Sequence, residues 1–293
     1  MDALPEEILR EILAYIISVY HPRFLRFYNP FEFLRSRRRQ PSRCADVLLV
    51  SKRWLRVGTP LLYECLVLSK SEHTKSVADL IHAHPGVGQA VRCLKLAGGL
   101  GKELLQVAEH TTQVQSVFVN LRLKSSDSIV GLRKGLPLLS PIHLYVDRAS
   151  YRENKRIDDV RALLSTMIKD VWPSLRTVTL ADAECCLDRG FADALGRSSV
   201  EEFSCRTYDI GWLLHAGYMQ KILSNPRLRS VVFRGGVPGS LTKERLQESG
   251  IDPAAIERIK YLLPSTTPKH GHNRFEAEVP VGPAVATATE GET

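Results

Sequence analysis

Arginines alternate with aromatic rings between Tyr20 and Arg56, and this segment carries the strongest chemical signal in the chain. It holds ten basic and two acidic residues, an excess equal to the formal net charge of +8 of the whole chain. Such a segment can clamp phosphates while its rings stack on bases, or it can lie on an anionic membrane surface. The run from Arg35 to Arg39 is also typical of a nuclear-localisation patch. The simpler interpretation is a solvated basic loop whose rings pack against nearby helices.

Residues that could serve metal binding or cofactor binding are few and poorly spaced. His82 with His84 and His270 with His272 are two residues apart, which on a helix directs the side chains to different faces, and no cysteine or acidic partner completes a ligand set. The glycines of Gly98–Gly101 lack the spacing of a dinucleotide fingerprint or a Walker loop. The sequence therefore predicts no metal and no cofactor.

The six cysteines favour a reducing compartment, the cytoplasm or the nucleus. They form no Cys-x-x-Cys pair and no regular disulfide framework. Cys185 and Cys186 are adjacent but have no recognisable catalytic histidine motif nearby, so no catalytic residue is predicted. Because free cysteine is among the most buried residue types, we expect most of the six to be small core residues.

Composition indicates a folded protein. The chain has 293 residues, 44% hydrophobic and 25% charged, which suits one large domain or two modest ones. No run of about 18 uninterrupted apolar residues occurs, so no transmembrane segment is predicted. Acidic residues precede the first apolar stretch, so no secretory signal is expected either.

Two helical patterns flank the basic segment. Pro5 suits a first helical position, and apolar residues recur at helical spacing from Ile8 to Ile17. A second helix is predicted from about Arg43 to Val57. Gly58 in a left-handed cap and Pro60 are expected to end it.

Apolar stretches close to the pattern L-x-x-L-x-L recur from Tyr63 onward. The fourth position of these stretches is occupied by Leu66, Leu94, Val117, Leu144, Val178, Phe203 and Val231. The mean interval of about 28 residues lies within the range of leucine-rich repeats. Each stretch is typical of a short strand. An ordinary α/β domain with irregular connections remains the alternative.

Segments with helical periodicity lie between these strands, at about 76–83, 102–110, 158–171 and 212–223. A strand followed by a returning helix, repeated, predicts an α/β fold with a parallel sheet. Two further helices are predicted over about 242–249 and 253–263. Beyond Pro264 the composition predicts a disordered tail.

The two N-terminal helices resemble the F-box motif, especially in its fungal form. The resemblance rests on Leu4 to Leu9 with Ile12 following, and on Leu48 to Trp54 followed by Gly58 to Tyr63. The chain thus resembles an F-box protein with a leucine-rich-repeat-like C-terminal domain. On this reading, residues 1–63 are F-box helices with a basic and aromatic insertion at about 18–42, residues 64–263 are an irregular α/β solenoid, and residues 264–293 are the tail.

The resemblance implies a non-catalytic protein of the ubiquitin conjugation pathway. Its F-box would dock a Skp-type adaptor and thereby a cullin scaffold, forming an SCF (cullin-RING) ubiquitin ligase, while the repeats would bind a protein substrate of unknown identity. The residues that match the motif positions expected at the adaptor, or in the small core of the module, are Leu4, Pro5, Ile8, Leu9, Leu49, Val50 and Trp54.

The substrate is expected on the exposed face of the repeat strands. Between the two inward apolar positions of each strand, one residue must point to the other side. These residues are Lys95, Phe118, Tyr145, Thr179, Ser204 and Val232. Two alternatives stay open: a repeat scaffold outside any SCF ligase, and a nucleic-acid-contacting or membrane-contacting protein that uses the basic segment at 20–56.

Overall fold

The structure is a computed structural model that describes residues 4–17, 43–98, 100–147, 154–206, 210–234 and 243–262. These residues form an α/β fold around an open eight-stranded sheet. The strands are all parallel, and their order in the sheet is their order along the chain. The predicted α/β class with a parallel sheet is therefore confirmed. The basic insertion at 18–42 and the tail at 264–293 lie outside the described residues.

Seven of the eight strands coincide with the predicted apolar stretches. The strands are β1 Cys65–Leu68, β2 Cys93–Ala97, β3 Ser116–Asn120, β4 His143–Asp147, β5 Thr177–Leu180, β6 Glu202–Arg206, β7 Ser230–Arg234 and β8 Ile259–Leu262. Residues at the fourth position of the pattern are direct neighbours: Leu66 pairs with Leu94, and Leu94 with Val117. Equivalent residues thus stand side by side across the sheet.

The last strand corrects the prediction of a long helix after Pro253. Only Pro253–Ile256 is helical, a single turn whose N-terminus is capped by the Asp252 side chain. The chain then enters β8 beside β7. Ile256, Ile259 and Tyr261 repeat the spacing of the earlier stretches, so the sequence did contain the signal for this strand.

Helices connect the strands. They are α1 Glu6–Ile17, α2 Arg43–Asp46, α3 Lys52–Tyr63, α4 Ser71–Ala83, α5 Pro85–Ala90, α6 Glu103–His110, α7 Val130–Gly135, α8 Lys155–Thr166, α9 Ala183–Cys186, α10 Arg189–Gly196, α11 Ile210–His215, α12 Tyr218–Leu223, α13 Lys243–Glu248 and α14 Pro253–Ile256. Short 3₁₀ or π turns follow α2, α7 and α8, at Val47–Leu49, Leu136–Leu138 and Met167–Val171.

Most of the predicted inter-strand helices are confirmed, with shifted ends. The pattern at 212–223 is divided into α11 and α12 by Gly217, whose φ of +69° is in the left-handed region. Helices α5, α7, α9 and α10 are too short, at four to eight residues, to show a clear helical period.

The helix predicted from Arg43 to Val57 is interrupted before Lys52. Ser51 has extended backbone and caps α3, its hydroxyl accepting the Trp54 backbone N–H at 3.2 Å. A serine in this role stabilises a helix start because it satisfies one of the first unpaired N–H groups. The single predicted helix is therefore two, joined by the 3₁₀ turn.

The prediction that Gly58 ends this helix is wrong, because α3 continues through Gly58 to Tyr63. Its role is close packing: a Cβ at this position would overlap the Leu48 side chain and press against Ile17 and Leu13. The absent side chain therefore lets α3 approach its neighbours. Pro60, also predicted to stop the helix, lies within its last turn.

The main core lies between one face of the sheet and the helices. Buried polar groups fix the turns around it: the Asn225 amide donates to the carbonyls of Leu195 at 2.9 Å and Val200 at 3.2 Å. The indole N–H of the fully buried Trp172 donates to the Leu136 carbonyl at 3.2 Å. These bonds join segments that are far apart in the chain, and they pair buried polar groups with one another.

Candidate interaction surfaces

The N-terminal helices pack around a small apolar core of their own. Leu9, Leu13 and Ile17 recur every fourth residue on α1, so they form one buried stripe. They meet Leu48 of the 3₁₀ turn and Leu61 of α3, and these five residues form a cluster distinct from the main core. We call α1 to α3 with this turn the helical module.

Charged contacts hold the start of α1 against α3. Glu6 pairs with Arg56 and lies 3.9 Å from the Nε of Arg53. Arg53 also donates to the carbonyl of Leu4. Two basic residues of the 20–56 segment therefore serve the structure of the module, although exposed pairs of this kind contribute less than about 1 kcal/mol each.

A second apolar stripe on α1 is not packed against any other part of the chain that the structure describes. Ile8, Ile12 and Ile16 also recur every fourth residue, beside the buried stripe, and all three are exposed, as is Tyr15 at 93%. We call these four residues the apolar stripe. Leu49 and Val50, between α2 and α3, add two more exposed apolar side chains, Leu49 at 80%. Exposed apolar groups that cluster in this way mark interaction sites in folded proteins.

The residues predicted for the adaptor divide into three sets. Five are exposed, as a docking surface requires: Leu4, Pro5, Ile8, Leu49 and Val50. Leu9 takes the second of the two expected roles: it is 2% exposed and belongs to the small core of the module, because its spacing with Leu13 and Ile17 turns it toward α3. Trp54 is half-buried and packs against the same core.

Sequence reasoning missed three members of the apolar stripe. Ile12, Tyr15 and Ile16 share the exposed surface with Ile8. The signal was present, because an amphipathic helix packed on one side seldom needs apolar residues over more than half its circumference. Two adjacent apolar rows on α1 predict a helix with two partners.

The six residues predicted for substrate binding form one row across the sheet. Register places each beside the next, from β2 to β7, in the order Lys95, Phe118, Tyr145, Thr179, Ser204 and Val232. Their strand neighbours on either side belong to the main core. The row therefore lies on the opposite face of the sheet, which we call the second face.

The expected exposure of this row is wrong. Lys95 is 2% exposed, Phe118 1% and Ser204 1%; Thr179 and Val232 are also buried, and Tyr145 is half-buried. In-step parallel strands place neighbouring side chains about 4.8 Å apart, so each one covers the flanks of the next. The Lys95 ammonium, for example, lies 4.0 Å from the centre of the Phe118 ring. Phe118 and Tyr145 therefore do not form an open apolar spot.

Polar groups on the second face are linked to one another. The Asn120 amide donates to an Asp147 carboxylate oxygen at 3.1 Å, and a ring nitrogen of His143 lies 2.8 Å from the Thr177 hydroxyl. Burial raises the pKa of Tyr145 to about 12. His143, Tyr145 and Thr177 are half-buried, so each keeps part of its surface exposed.

Lys95 makes the stability of the protein depend on pH. Burial lowers the pKa of its ammonium from 10.5 to about 8, against the opposing effect of Asp147. Between these two values the folded chain holds fewer protons than the unfolded chain. The free energy of unfolding should therefore rise with pH across that window, and below it the buried charge should cost stability.

Replacing Lys95 by Met is expected to raise the free energy of unfolding more at pH 7 than at pH 10, because it removes a desolvated charge that is present in the fold only at the lower pH. The gain should shrink as the pH approaches 10, where the wild-type lysine is neutral in the fold. Urea unfolding at the two pH values measures this. The matched control is Lys260→Met, in the same row on β8 but exposed. A gain at Lys95 that is equal at both pH values would contradict the prediction.

The cysteines mostly fulfil their expected role. Cys93, Cys185, Cys186 and Cys205 are buried and outside any disulfide, and Cys65 is half-buried. Burial raises the pKa of Cys186 and of Cys205 well above the ordinary value. Raised values keep these thiols protonated and weakly nucleophilic.

A cleft of about 450 Å³ lies at the edge of the sheet where β5 to β7 begin, near Trp172, Ser198 and Ser199. The hydroxyl of Ser198 donates to the Leu195 carbonyl and that of Ser199 to the Leu175 carbonyl, both at 2.9 Å. Both hydroxyls therefore serve the turns before the strands.

The part of the chain that the structure describes offers neither a metal centre nor a membrane-spanning helix. No group of three or more His, Cys, Asp or Glu side chains within those ranges is arranged to hold a metal ion. None of the helices described there combines the length and apolar character needed to cross a bilayer. In comparisons with known proteins, no family model and no curated protein matches the chain. The function must therefore be argued from the two surfaces.

Proposed function

We propose that this protein is a non-catalytic substrate receptor of an SCF-type ubiquitin ligase in the cytoplasm or nucleus. The helical module acts as an F-box and docks a Skp-type adaptor, which links the chain to a cullin scaffold. The sheet with its helices acts as an irregular leucine-rich-repeat-like solenoid that binds a protein substrate.

The observation that carries this proposal is the apolar stripe. The module buries Leu9, Leu13 and Ile17 in its own core, yet leaves Ile8, Ile12 and Ile16 in solvent. A few apolar anchors of this kind supply most of the binding energy of a protein interface. The stripe lies on the helix that carries the first half of the F-box-like sequence, and Leu49 and Val50 lie in the second half.

The repeated strands support the second half of the proposal. Equivalent positions pair from β1 to β8 in chain order, which is how stacked repeats are arranged. Because the central row is largely buried, we place substrate contact on its half-buried member, Tyr145, and on half-buried groups beside the row, including His143 and Glu202. Tyr145 is the one member of the predicted set that keeps this role.

No reactive group is needed for such a function. A receptor that holds its substrate beside a ubiquitin-charged enzyme raises the local concentration of the substrate, into the millimolar range for short flexible tethers. Positioning alone then accelerates transfer.

The proposal predicts that the purified full chain binds a Skp-type adaptor through the apolar stripe. Combined substitutions Ile8→Asp and Ile12→Asp should weaken binding about 100-fold or more, because two apolar anchors become charged. Titration calorimetry against the purified adaptor measures the affinity. Arg10→Asp is the matched control: it changes the net charge by the same two units, and Arg10 is exposed on the far side of α1.

Circular dichroism of the double variant should match that of the wild type, since both positions are exposed. The proposal is overturned if the wild-type chain binds no Skp-type adaptor, or if the double variant binds as tightly as Arg10→Asp.

A further inference from the structure

Two cysteine side chains stand side by side at the start of the sheet. Cys65 on β1 and Cys93 on β2 are direct partners in the parallel register. The residues that follow them, Leu66 and Leu94, point into the main core. Both cysteines therefore project from the second face, at the sheet edge nearest the helical module.

The two neighbouring thiols interact with each other. The thiol of Cys65 is hydrogen-bonded to Cys93, and this bond together with burial raises the pKa of Cys65. A pair of thiols in hydrogen-bond contact is already near the arrangement of a cystine. Adjacent parallel strands lie about 4.8 Å apart, which is within the range of Cα separations that disulfides span, about 4.4 to 6.8 Å.

We propose that Cys65 and Cys93 form a modification site, a dithiol that closes into a disulfide between β1 and β2 on oxidation by a peroxide. Cys65 is half-buried on the first strand of the sheet, so a small oxidant can reach it. This inference does not depend on the proposed function.

The chemistry needs one peroxide for each pair. Because the raised pKa keeps the Cys65 thiol mostly protonated, the reaction proceeds through its small thiolate fraction and becomes faster as the pH rises. The thiolate attacks a peroxide oxygen; the O–O bond breaks, and a sulfenic acid and a hydroxide form, the hydroxide taking up the proton that the thiol lost. The second thiol then attacks the sulfenic sulfur. The S–S bond forms, the S–O bond breaks, and the hydroxyl leaves as water with the proton of the second thiol. The two sulfurs lose two electrons, and hydrogen peroxide becomes two waters.

The bond would fix the junction between the two parts of the protein. Helix α3 ends at Tyr63, and β1 begins at Cys65. A disulfide at Cys65 would tie this first strand covalently to β2. The disulfide would then prevent β1 from fraying at the sheet edge. A thiol reductant would break the disulfide and allow fraying again.

The test treats the full chain with hydrogen peroxide, blocks remaining thiols by alkylation and maps tryptic peptides by mass spectrometry. Cleavage at Lys70, Lys75 and Arg92 separates the two cysteines, so a linked peptide pair lighter by two hydrogens reports the disulfide directly. We expect this pair to form first among the described cysteines and to separate in dithiothreitol.

Three variants define the link. Cys65→Ser and Cys93→Ser should each abolish the linked pair, whereas Cys186→Ser should leave it unchanged. Phenylarsine oxide, which bonds two neighbouring thiols with loss of one water, should protect both Cys65 and Cys93 from alkylation in the wild type. The proposal is overturned if Cys205 or Cys186 oxidises before the link forms, if the link joins other cysteines or two chains, or if the arsenical protects neither thiol.

Discussion

A single Leu9→Asp substitution is expected to unfold the helical module, whereas Ile8→Asp, one residue earlier, should leave it folded. Leu9 is 2% exposed at the centre of the small core, while Ile8 is 49% exposed in solvent. Burying a carboxylate without a partner while losing a core leucine costs about 4 kcal/mol or more. A surface substitution such as Ile8→Asp stays within about 0.5 kcal/mol.

Hydrogen exchange measured by mass spectrometry separates these outcomes. In Leu9→Asp, the amides of α1 and α3 should exchange far faster than in the wild type, while those of the central strands keep their protection. In Ile8→Asp, both helices should keep wild-type protection. Equal protection of the module in both variants would show that Leu9 is not a core residue. The comparison also serves as a control for the docking experiment. Loss of adaptor binding in Leu9→Asp would result from unfolding of the helical module and would not identify Leu9 as an interface residue.

The strands could be predicted from the sequence because their signal is repeated. A single stretch such as Val91 to Leu96 is ambiguous, but neighbours with the same spacing leave little choice. The same pattern extends to Ile259 in β8, where Pro253 favoured a helix instead. That helix does begin at Pro253, and it lasts one turn. The repeat was therefore better evidence than the local helix signal.

The helix ends were harder to predict because one residue type serves several purposes. Gly58 followed by Pro60 is typical of a helix stop, but Gly58 is required for close packing against Leu48. Ser51 began a new helix inside what looked like one apolar pattern. Local sequence does not distinguish a glycine that ends a helix from one that lets two helices approach.

For the candidate surfaces, too, local sequence predicted one property and not another. Alternation along a strand correctly placed Lys95 and Ser204 on the second face, but it carries no information on whether that face is covered. On α1, helical spacing alone separates Leu9 from Ile8 once the position of α3 is known. Sequence thus determined which residues share a face, while burial depended on contacts between segments far apart in the chain.

Replacing Trp172 by Ala is expected to cost about 4 to 5 kcal/mol of unfolding free energy, the largest loss we expect for a truncation in the main core. Trp172 is 1% exposed, and its indole N–H donates to the Leu136 carbonyl at 3.2 Å. The alanine therefore leaves a cavity and also removes one of two donors from the Leu136 carbonyl, which keeps only the Leu139 backbone N–H at 3.1 Å. This bond joins the turn after α8 to the turn after α7, so the loss acts on two segments at once.

Phenylalanine at the same position separates the two contributions. Trp172→Phe fills most of the volume but cannot donate, so its cost should be about half that of alanine. The half-buried Trp212 supplies the matched control. Its ring makes a T-shaped contact with the Tyr218 ring, with the ring centres 5.1 Å apart. Trp212→Ala should lower the free energy of unfolding by about 1 to 2 kcal/mol. Urea unfolding followed by circular dichroism measures all three, because removal of a tryptophan changes fluorescence by itself. If Trp172→Ala costs no more than Trp212→Ala, Trp172 is not the central contact between these turns and the helices around them.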